Sequence, residues 1–374
     1  FVKNGTLKDC DFLNVESEFS AISVAIGSEV GGARTYTATA SQGLLYMTEG
    51  VYSASGLGLP IVMTVASRAI GGPINIWNDH SDSLSQRDSG WLQLFCESNQ
   101  DAVDTHIMAF KIAEEVGLPV MVCMDGFVLT HAFERLDIPS QETVDKFLPE
   151  YQPREYLTPK EPISIGAMVG PEAFTEVRFL QQRKMAKALK VIEKVTKEYR
   201  DLTGSKSGGL LDCYNCENAD LKLVIMGSTV GTAKDEIDRL KAEGINVGII
   251  SLKSFRPFPY EAMAKAIGDT KKVICLERAF SFGARGIVCP EVKRAMEGKN
   301  CDVKTVVAGL GGRPIFGTTI RGIVKDALAD KFTEEFTWFD VNADVLNSYT
   351  DKTEGVTFKN GPIAQSVLEN SVKD

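Results

Sequence analysis

The sequence predicts an α/β protein of two domains, each built on a largely parallel sheet with crossover helices. Three observations lead there. Short apolar runs alternate with segments of helical period, the pattern that covered parallel strands and their connecting helices produce. The 374 residues suit about two domains at the usual ~100–200 residues each. Prolines at positions 139, 149, 153, 159, 162 and 171 fall between two such alternating blocks.

Taken in order, residues 1–5 (FVKNG) read as the end of a helix with its glycine stop, so an N-terminal piece is expected to precede them. A helix is predicted to open at Glu16 and Glu18 and to continue through the small residues Ala21, Ala25 and Gly27. A strand over 34–40, a helix over 44–57 and a strand over 61–66 follow, then a polar loop over 71–90. Residues 99–116 have helical period and 118–124 form a buried strand. Proline opposes helix interiors and central strands, so 138–171 is predicted as an extended surface connection. A long helix over 174–202 and a Gly/Ser break at 204–209 complete it. The second block has strands at 221–226, 246–252, 272–276 and 304–308 with helices between, and a polar tail from about 352. The expected units are therefore 1–137, 138–220, 221–350 and 351–374.

Composition narrows the function. Hydrophobic residues make up 44% and charged residues 24%, as in a soluble globular protein with a sizeable core. A net charge of −9 argues against a nucleic-acid surface. No apolar run is long enough for a membrane helix and no signal peptide is present, which points to a cytoplasmic protein with no membrane partner. Among eight cysteines, Cys123 and Cys275 lie in apolar runs, where reduced thiols behave as small hydrophobes. Cys213 and Cys216 form a lone C-x-x-C; without a second pair or nearby histidine it is read as plain surface, and no metal site is assigned.

Three segments carry candidate chemistry. In NVESEFSAI (14–22), Glu16 has the plain role of a carboxylate at a helix start. Glu18 has apolar neighbours in Phe19, Ile22 and Ile26, so a buried carboxyl with a raised pKa, able to share a proton with a ligand nitrogen, stands beside that plain reading. In TASQG (39–43), Ser41, Gln42 and Gly43 sit where a strand ends and a helix begins, the place where parallel sheets bind ligands; an ordinary glycine turn capped by serine is the alternative. In SRAIGGP (67–73), Arg68 follows another strand and is suited to gripping a carboxylate bidentately. The loop continues through Asn78, Asp79 and His80, either as a substrate loop or as solvated polar chain.

Several signatures are missing: a G-x-G-x-x-G fingerprint, a Walker A loop and a four-cysteine cluster run. A Gly-Asp-Gly motif with a downstream asparagine is also missing, since Asp125-Gly126 lacks both companions.

Together with TATASQGLLYMTEGVY (37–52), SRAIGGPINIWNDHSDS (67–83), RDSGW (87–91) and MDGFVLTH (124–131), these segments resemble the α subunit of the pyruvate:ferredoxin oxidoreductase (pyruvate synthase) family, among the 2-oxoacid:ferredoxin oxidoreductases. GSTVGT (227–232), FRPFP (255–259), ERAFSFG (277–283) and GLGGR (309–313) continue the resemblance in order. It implies a pyrimidine-type thiamine-diphosphate-binding domain followed by a transketolase C-terminal-like domain. It implies that Glu18 bonds the pyrimidine N1′ and that Arg68 takes the substrate carboxylate. Ser41, Gln42 and Gly43 would line the cofactor, with Asn78, Asp79 and His80 in the substrate loop.

The implied reaction is oxidative decarboxylation of pyruvate with coenzyme A to acetyl-CoA and CO₂, or its reverse, with electrons passing to ferredoxin. Mg²⁺, the diphosphate half of the site and [4Fe-4S] clusters would come from partner subunits of β, γ and δ type. The sequence departs from the family at Phe19 and Trp77, where histidine is expected, and the family's Tyr-Pro-Ile-Thr-Pro segment is expected upstream of Phe1. A sibling enzyme for another 2-oxo acid or oxalate, and a non-catalytic scaffold, are the alternatives.

Overall fold

The computed structural model describes residues 1–344; the expected tail at 351–374 lies outside the described residues. The chain runs through α1 (Glu18–Val30), β1 (Tyr36–Thr39), α2 (Gln42–Tyr46), α3 (Thr48–Leu57), β2 (Val62–Ser67), α4 (Ser81–Ser85), β3 (Leu92–Phe95), α5 (Asn99–Val116) and β4 (Val120–Asp125). Next come α6 (Gln141–Phe147), α7 (Phe174–Thr203), β5 (Leu211–Tyr214), β6 (Leu221–Ile225), α8 (Thr229–Ala242), β7 (Val247–Leu252) and β8 (Ser254–Arg256). The described part ends with α9 (Tyr260–Ile267), β9 (Lys272–Glu277), α10 (Val288–Ala295), β10 (Asp302–Val307), α11 (Gly317–Leu328) and β11 (Phe336–Trp338).

Two sheets result. The first has the order β1-β2-β4-β3-β8, parallel except for β8. The second has the order β11-β10-β9-β6-β7-β5, parallel except for β5. β2, β4, β6, β7, β9 and β10 are largely apolar because helices cover both faces of each sheet. Along β2 the alternation is visible: Met63 and Val65 join one core cluster, whereas Val62 joins another with α5 and α7.

The first cluster is continuous between the two sheets, from Ile22, Met63 and Cys123 to Val224, Ile250 and Cys275. β8 reinforces that joint, because it belongs to the second block in sequence yet pairs with β3 of the first sheet. The long helix α7 also belongs to the first sheet's outer layer, burying Ala188, Val191, Ile192 and Val195 beside α5. Among the described residues no helix is long and apolar enough to cross a membrane.

Residues 1–5 carry the expected helix stop: Gly5, at φ 74°, donates its N–H to the Val2 carbonyl and Thr6 donates to the Phe1 carbonyl, both at 3.0 Å, the bond pair of a helix C-cap. Several details differ from the sequence reading, among them α6, a helix inside the 138–171 stretch expected to be extended, and α4, inside the expected polar loop. The helix expected over 44–57 is two helices that break at Met47. β3 lies where no strand was expected, directly after the polar loop. The edge strands β5, β8 and β11 were likewise not expected; they have four, three and three residues, too short to produce a periodic signal.

Candidate active site

The site lies at the carboxyl ends of β1 and β2. Ser17 caps α1 by accepting the Ser20 N–H at 3.2 Å, which makes Glu18 the acidic residue of the first turn. Glu16 therefore precedes the helix instead of opening it; the Ser20 hydroxyl bonds its carboxylate and holds it below its ordinary range. Ile22, fully buried one turn on, fixes α1 against α3. A Cβ at Gly50 would stand 2.4 Å from Ile22 Cγ2, so the glycine permits this close approach.

This seating carries Glu18 to the end of β1. A Cβ at Gly43 would come within 2.8 Å of Glu18 Cγ, Glu18 Oε1 and Thr39 Oγ1 alike. The absence of a side chain at Gly43 lets a carboxylate and a hydroxyl close together on the backbone at the end of β1. Thr39 Oγ1 is buried and has no hydrogen-bond partner among the described residues. A buried, unpaired hydroxyl costs about 1–3 kcal/mol, and a polar ligand here would relieve that penalty.

Glu18 itself is exposed, as is Phe19. The expectation of a packed, buried carboxyl is therefore corrected: among the described residues nothing covers the outer side of the helix start. Phe12 and Leu13 ahead of α1, with Tyr46 in α2, are exposed as well.

Ser41 begins the next turn at φ 48° and ψ −120°, a left-handed conformation that non-glycine residues rarely adopt. Such a position costs about 1–3 kcal/mol and persists only where its surroundings enforce it. Two bonds do so. Its N–H donates to Asp82 Oδ2 at 2.8 Å, and its hydroxyl donates to the Ala69 carbonyl at 2.5 Å. Ser41 does not cap α2 with its side chain, contrary to the plain reading.

Gln42 faces the β2 loop, where its Oε1 accepts from Arg68 Nη2 at 3.2 Å. A Cβ at Gly71 would collide with Gln42 Nε2, so glycine there makes room for the amide. The Arg68 Nε is buried and unpaired. The guanidinium thus keeps donors free for an anion at the same strand ends as Glu18, Thr39 and Gly43.

Asn78, Asp79 and His80 are placed differently from a substrate-facing loop. All three are buried, at 0%, 5% and 2% exposure, and their side chains turn toward the second sheet. His80 Nε2 lies 2.7 Å from Asp125 Oδ1, Asn78 bonds Arg278, and Asp79 Oδ2 accepts from Gly311 N at 3.2 Å. Asp125, at the carboxyl end of β4, also accepts from Ser228 N at 3.0 Å, Ser228 Oγ at 2.5 Å and Arg278 Nη1 at 3.2 Å. Burial alone would raise this carboxyl, but His80, Arg278 and Ser228 outweigh it and hold it well below the usual carboxylate range. The motifs GSTVGT, ERAFSFG and GLGGR each send a residue into this joint.

Sequence reasoning missed Asp82, Asp125, Ser228 and Arg278 as partners. Asp125 and Arg278 are 153 positions apart, so no spacing rule relates them. Asp82 did leave a signal, as one acidic residue within a loop otherwise assigned to ligand binding.

The comparisons with known proteins fit this arrangement. Residues 1–197 match the family model for pyruvate flavodoxin/ferredoxin oxidoreductase, thiamine diphosphate-binding, and residues 219–320 match pyruvate:ferredoxin oxidoreductase core domain II. The chain belongs to the pyruvate:ferredoxin oxidoreductase family. It is 47% identical to "Pyruvate synthase subunit PorA" of Methanocaldococcus jannaschii, over 87% of this chain and 84% of that one. It is 38% identical to "Ketoisovalerate oxidoreductase subunit VorA" of Pyrococcus horikoshii, over 91% of this chain and 88% of that one. Among solved structures, 2-oxoglutarate:ferredoxin oxidoreductase from Magnetococcus marinus superposes with a TM-score of 0.60 at 22% identity, covering 85% of this chain and 57% of that one, which speaks to fold alone.

Thiamine diphosphate fits the residues present. Beside Gly43 the Glu18 carboxylate and the unpaired Thr39 hydroxyl stand next to each other, a polar pair suited to the nitrogens of a ring.

Proposed function

We propose that this chain is the catalytic α subunit of a 2-oxoacid:ferredoxin oxidoreductase that oxidatively decarboxylates pyruvate with coenzyme A, or runs the reverse reaction. The observation that supports it most is the convergence of Glu18, Thr39 and Gly43 with the Arg68 guanidinium on two adjacent strand ends. Bound thiamine diphosphate supplies the nucleophilic carbon and electron sink that a 2-oxo acid needs to lose CO₂. Glu18 holds a proton at the pyrimidine nitrogen. Thr39 donates or accepts at the ring edge, and Arg68 grips the substrate carboxylate through donors that Gln42 orients.

Glu18 is exposed among the described residues, and we assign the surface that closes over it to another subunit. The exposed Phe12, Leu13, Phe19 and Tyr46 supply an apolar surface for such a subunit to cover. Mg²⁺, the diphosphate contacts and iron–sulfur clusters are assigned to partner subunits of β, γ and δ type, with ferredoxin as electron acceptor in the cytoplasm. Pyruvate is favoured over a branched 2-oxo acid because the PorA relative is the nearer of the two named, at 47% against 38% identity.

The test is viologen dye reduction by the purified complex with a panel of pyruvate, 2-oxoglutarate, 2-ketoisovalerate and oxalate, each with and without coenzyme A. Coenzyme A-dependent turnover with kcat/KM highest for pyruvate is expected. A higher kcat/KM for another acid would move the substrate assignment, and no turnover with any acid would favour a scaffold.

A further inference from the structure

The strand-end loops that carry Gln42 and Arg68 do not touch through side chains alone. A third residue lies beneath both. Asp82, in the short helix α4, is fully buried. Its Oδ2 accepts the Ser41 N–H at 2.8 Å and the Arg68 N–H at 2.9 Å, so one oxygen spans the ends of β1 and β2. Its Oδ1 accepts the Ser83 N–H at 2.6 Å, which fixes the carboxylate plane.

We propose that Asp82 is a positioning residue for the substrate clamp, setting the distance and angle between the Arg68 guanidinium and the Glu18 carboxylate beside Gly43 through the backbone of both loops. The inference rests on the reading that Arg68 binds the 2-oxo-acid carboxylate. Three features carry it. The two N–H groups belong to the two residues whose placement matters most, the left-handed Ser41 turn and Arg68 itself. Both reach the same oxygen, so one loop cannot shift without disturbing the other's bond. No other side chain is hydrogen-bonded to the Arg68 N–H or the Ser41 N–H among the contacts of these loops.

Burial pushes the Asp82 carboxyl up to about 7 despite the N–H donors of Arg68, Ser41 and Ser83, with Asp79 adding to the rise. An apolar residue of similar size in its place would leave the N–H groups of Ser41, Arg68 and Ser83 unpaired in the interior.

The experiment compares Asp82→Ala and Asp82→Asn with the wild-type complex, reading KM and kcat for pyruvate and KM for coenzyme A, with thermal unfolding alongside. Asp82→Ala frees both loops and should lower kcat/KM for pyruvate roughly 10- to 100-fold, the range expected when a binding group is misplaced by about 1 Å. The coenzyme A KM should stay within about twofold, since no contact of Asp82 leads to a second substrate. Asp82→Asn keeps one oxygen for both N–H groups but turns an NH₂ toward the Ser83 N–H. It should therefore recover most of the pyruvate kcat/KM and carries the test should the alanine variant fail to assemble.

Equal movement of the pyruvate and coenzyme A KM values in either variant would reduce Asp82 to a general structural role and overturn the proposal. An Arg68→Ala control separates the two layers. If Arg68→Ala leaves pyruvate KM unchanged, the clamp reading fails; if it raises pyruvate KM while Asp82→Ala does not, only the positioning role fails. In the Arg68→Ala background Asp82→Ala should add little, because the group it positions is gone.

Discussion

Asp125→Ala should loosen the joint between the two sheets by about 3–5 kcal/mol, the usual result of stripping one partner from a buried ion cluster. The structure supplies the reasons. Asp125 is 1% exposed and takes bonds from His80, Arg278 and both donors of Ser228. Without it, Arg278 at 7% exposure keeps Asn78 and Thr229, which are neutral, so a guanidinium is left buried without a counter-charge. An ordinary hydrogen bond contributes only about 0.5–1.5 kcal/mol, so the charge dominates the expected loss.

The pH dependence has a definite sign. A carboxyl held below its unfolded value of about 3.9 stabilises the fold fully above that pH, and the contribution drains away as pH falls toward the folded value. Wild-type protein should therefore lose stability on the acid side more steeply than Asp125→Ala. Denaturant unfolding of the purified protein at several pH values between neutral and acid measures both effects. A loss below about 1 kcal/mol near pH 7, or parallel acid limbs, would refute the claim that this cluster holds the joint through charge.

Gly43→Ala would place a methyl group 2.8 Å from both Glu18 and Thr39, so thiamine diphosphate affinity measured by isothermal titration should fall at least about tenfold while the fold persists; unchanged affinity would put the pyrimidine elsewhere. Arg68→Ala should raise the KM for pyruvate far more than for coenzyme A in steady-state dye reduction, because truncating one side of a desolvated charge pair costs about 2–5 kcal/mol. Gly50→Ala should destabilise the α1–α3 contact by about 1–3 kcal/mol through overpacking against Ile22, read as a lower unfolding midpoint.

The α/β character and most central strands were legible because covered parallel strands announce themselves as largely apolar runs. β3 escaped because Trp91 to Phe95 includes Gln93, a polar residue that is fully buried and bonds the Ser83 carbonyl at 2.6 Å. β8 escaped for a topological reason: nothing local in Ser254–Arg256 says that it will leave its own sheet for the other.

At the site, the strand-end logic located Ser41, Gln42, Gly43 and Arg68 from the turn residues after two strands. The same logic treated Asn78 and His80 as ligand groups, because a polar loop beside strand ends looks alike whether it faces a ligand or a second domain. Their true neighbours, Asp125 and Arg278, are brought in by tertiary packing over long sequence distances. The exposure of Glu18 was unreadable for a related reason. Apolar neighbours in a sequence do not say whether the surface that covers them belongs to the same chain.

The central claim is that Glu18 supplies the proton-holding carboxyl of a thiamine diphosphate site shared with another subunit. The most direct measurement is coenzyme A-dependent pyruvate turnover by the complex assembled with Glu18→Ala, with cofactor occupancy measured in parallel. The account predicts a fall in kcat of at least about 100-fold, as for loss of a general acid–base group, in a complex that still assembles. Wild-type turnover in that complex would contradict it.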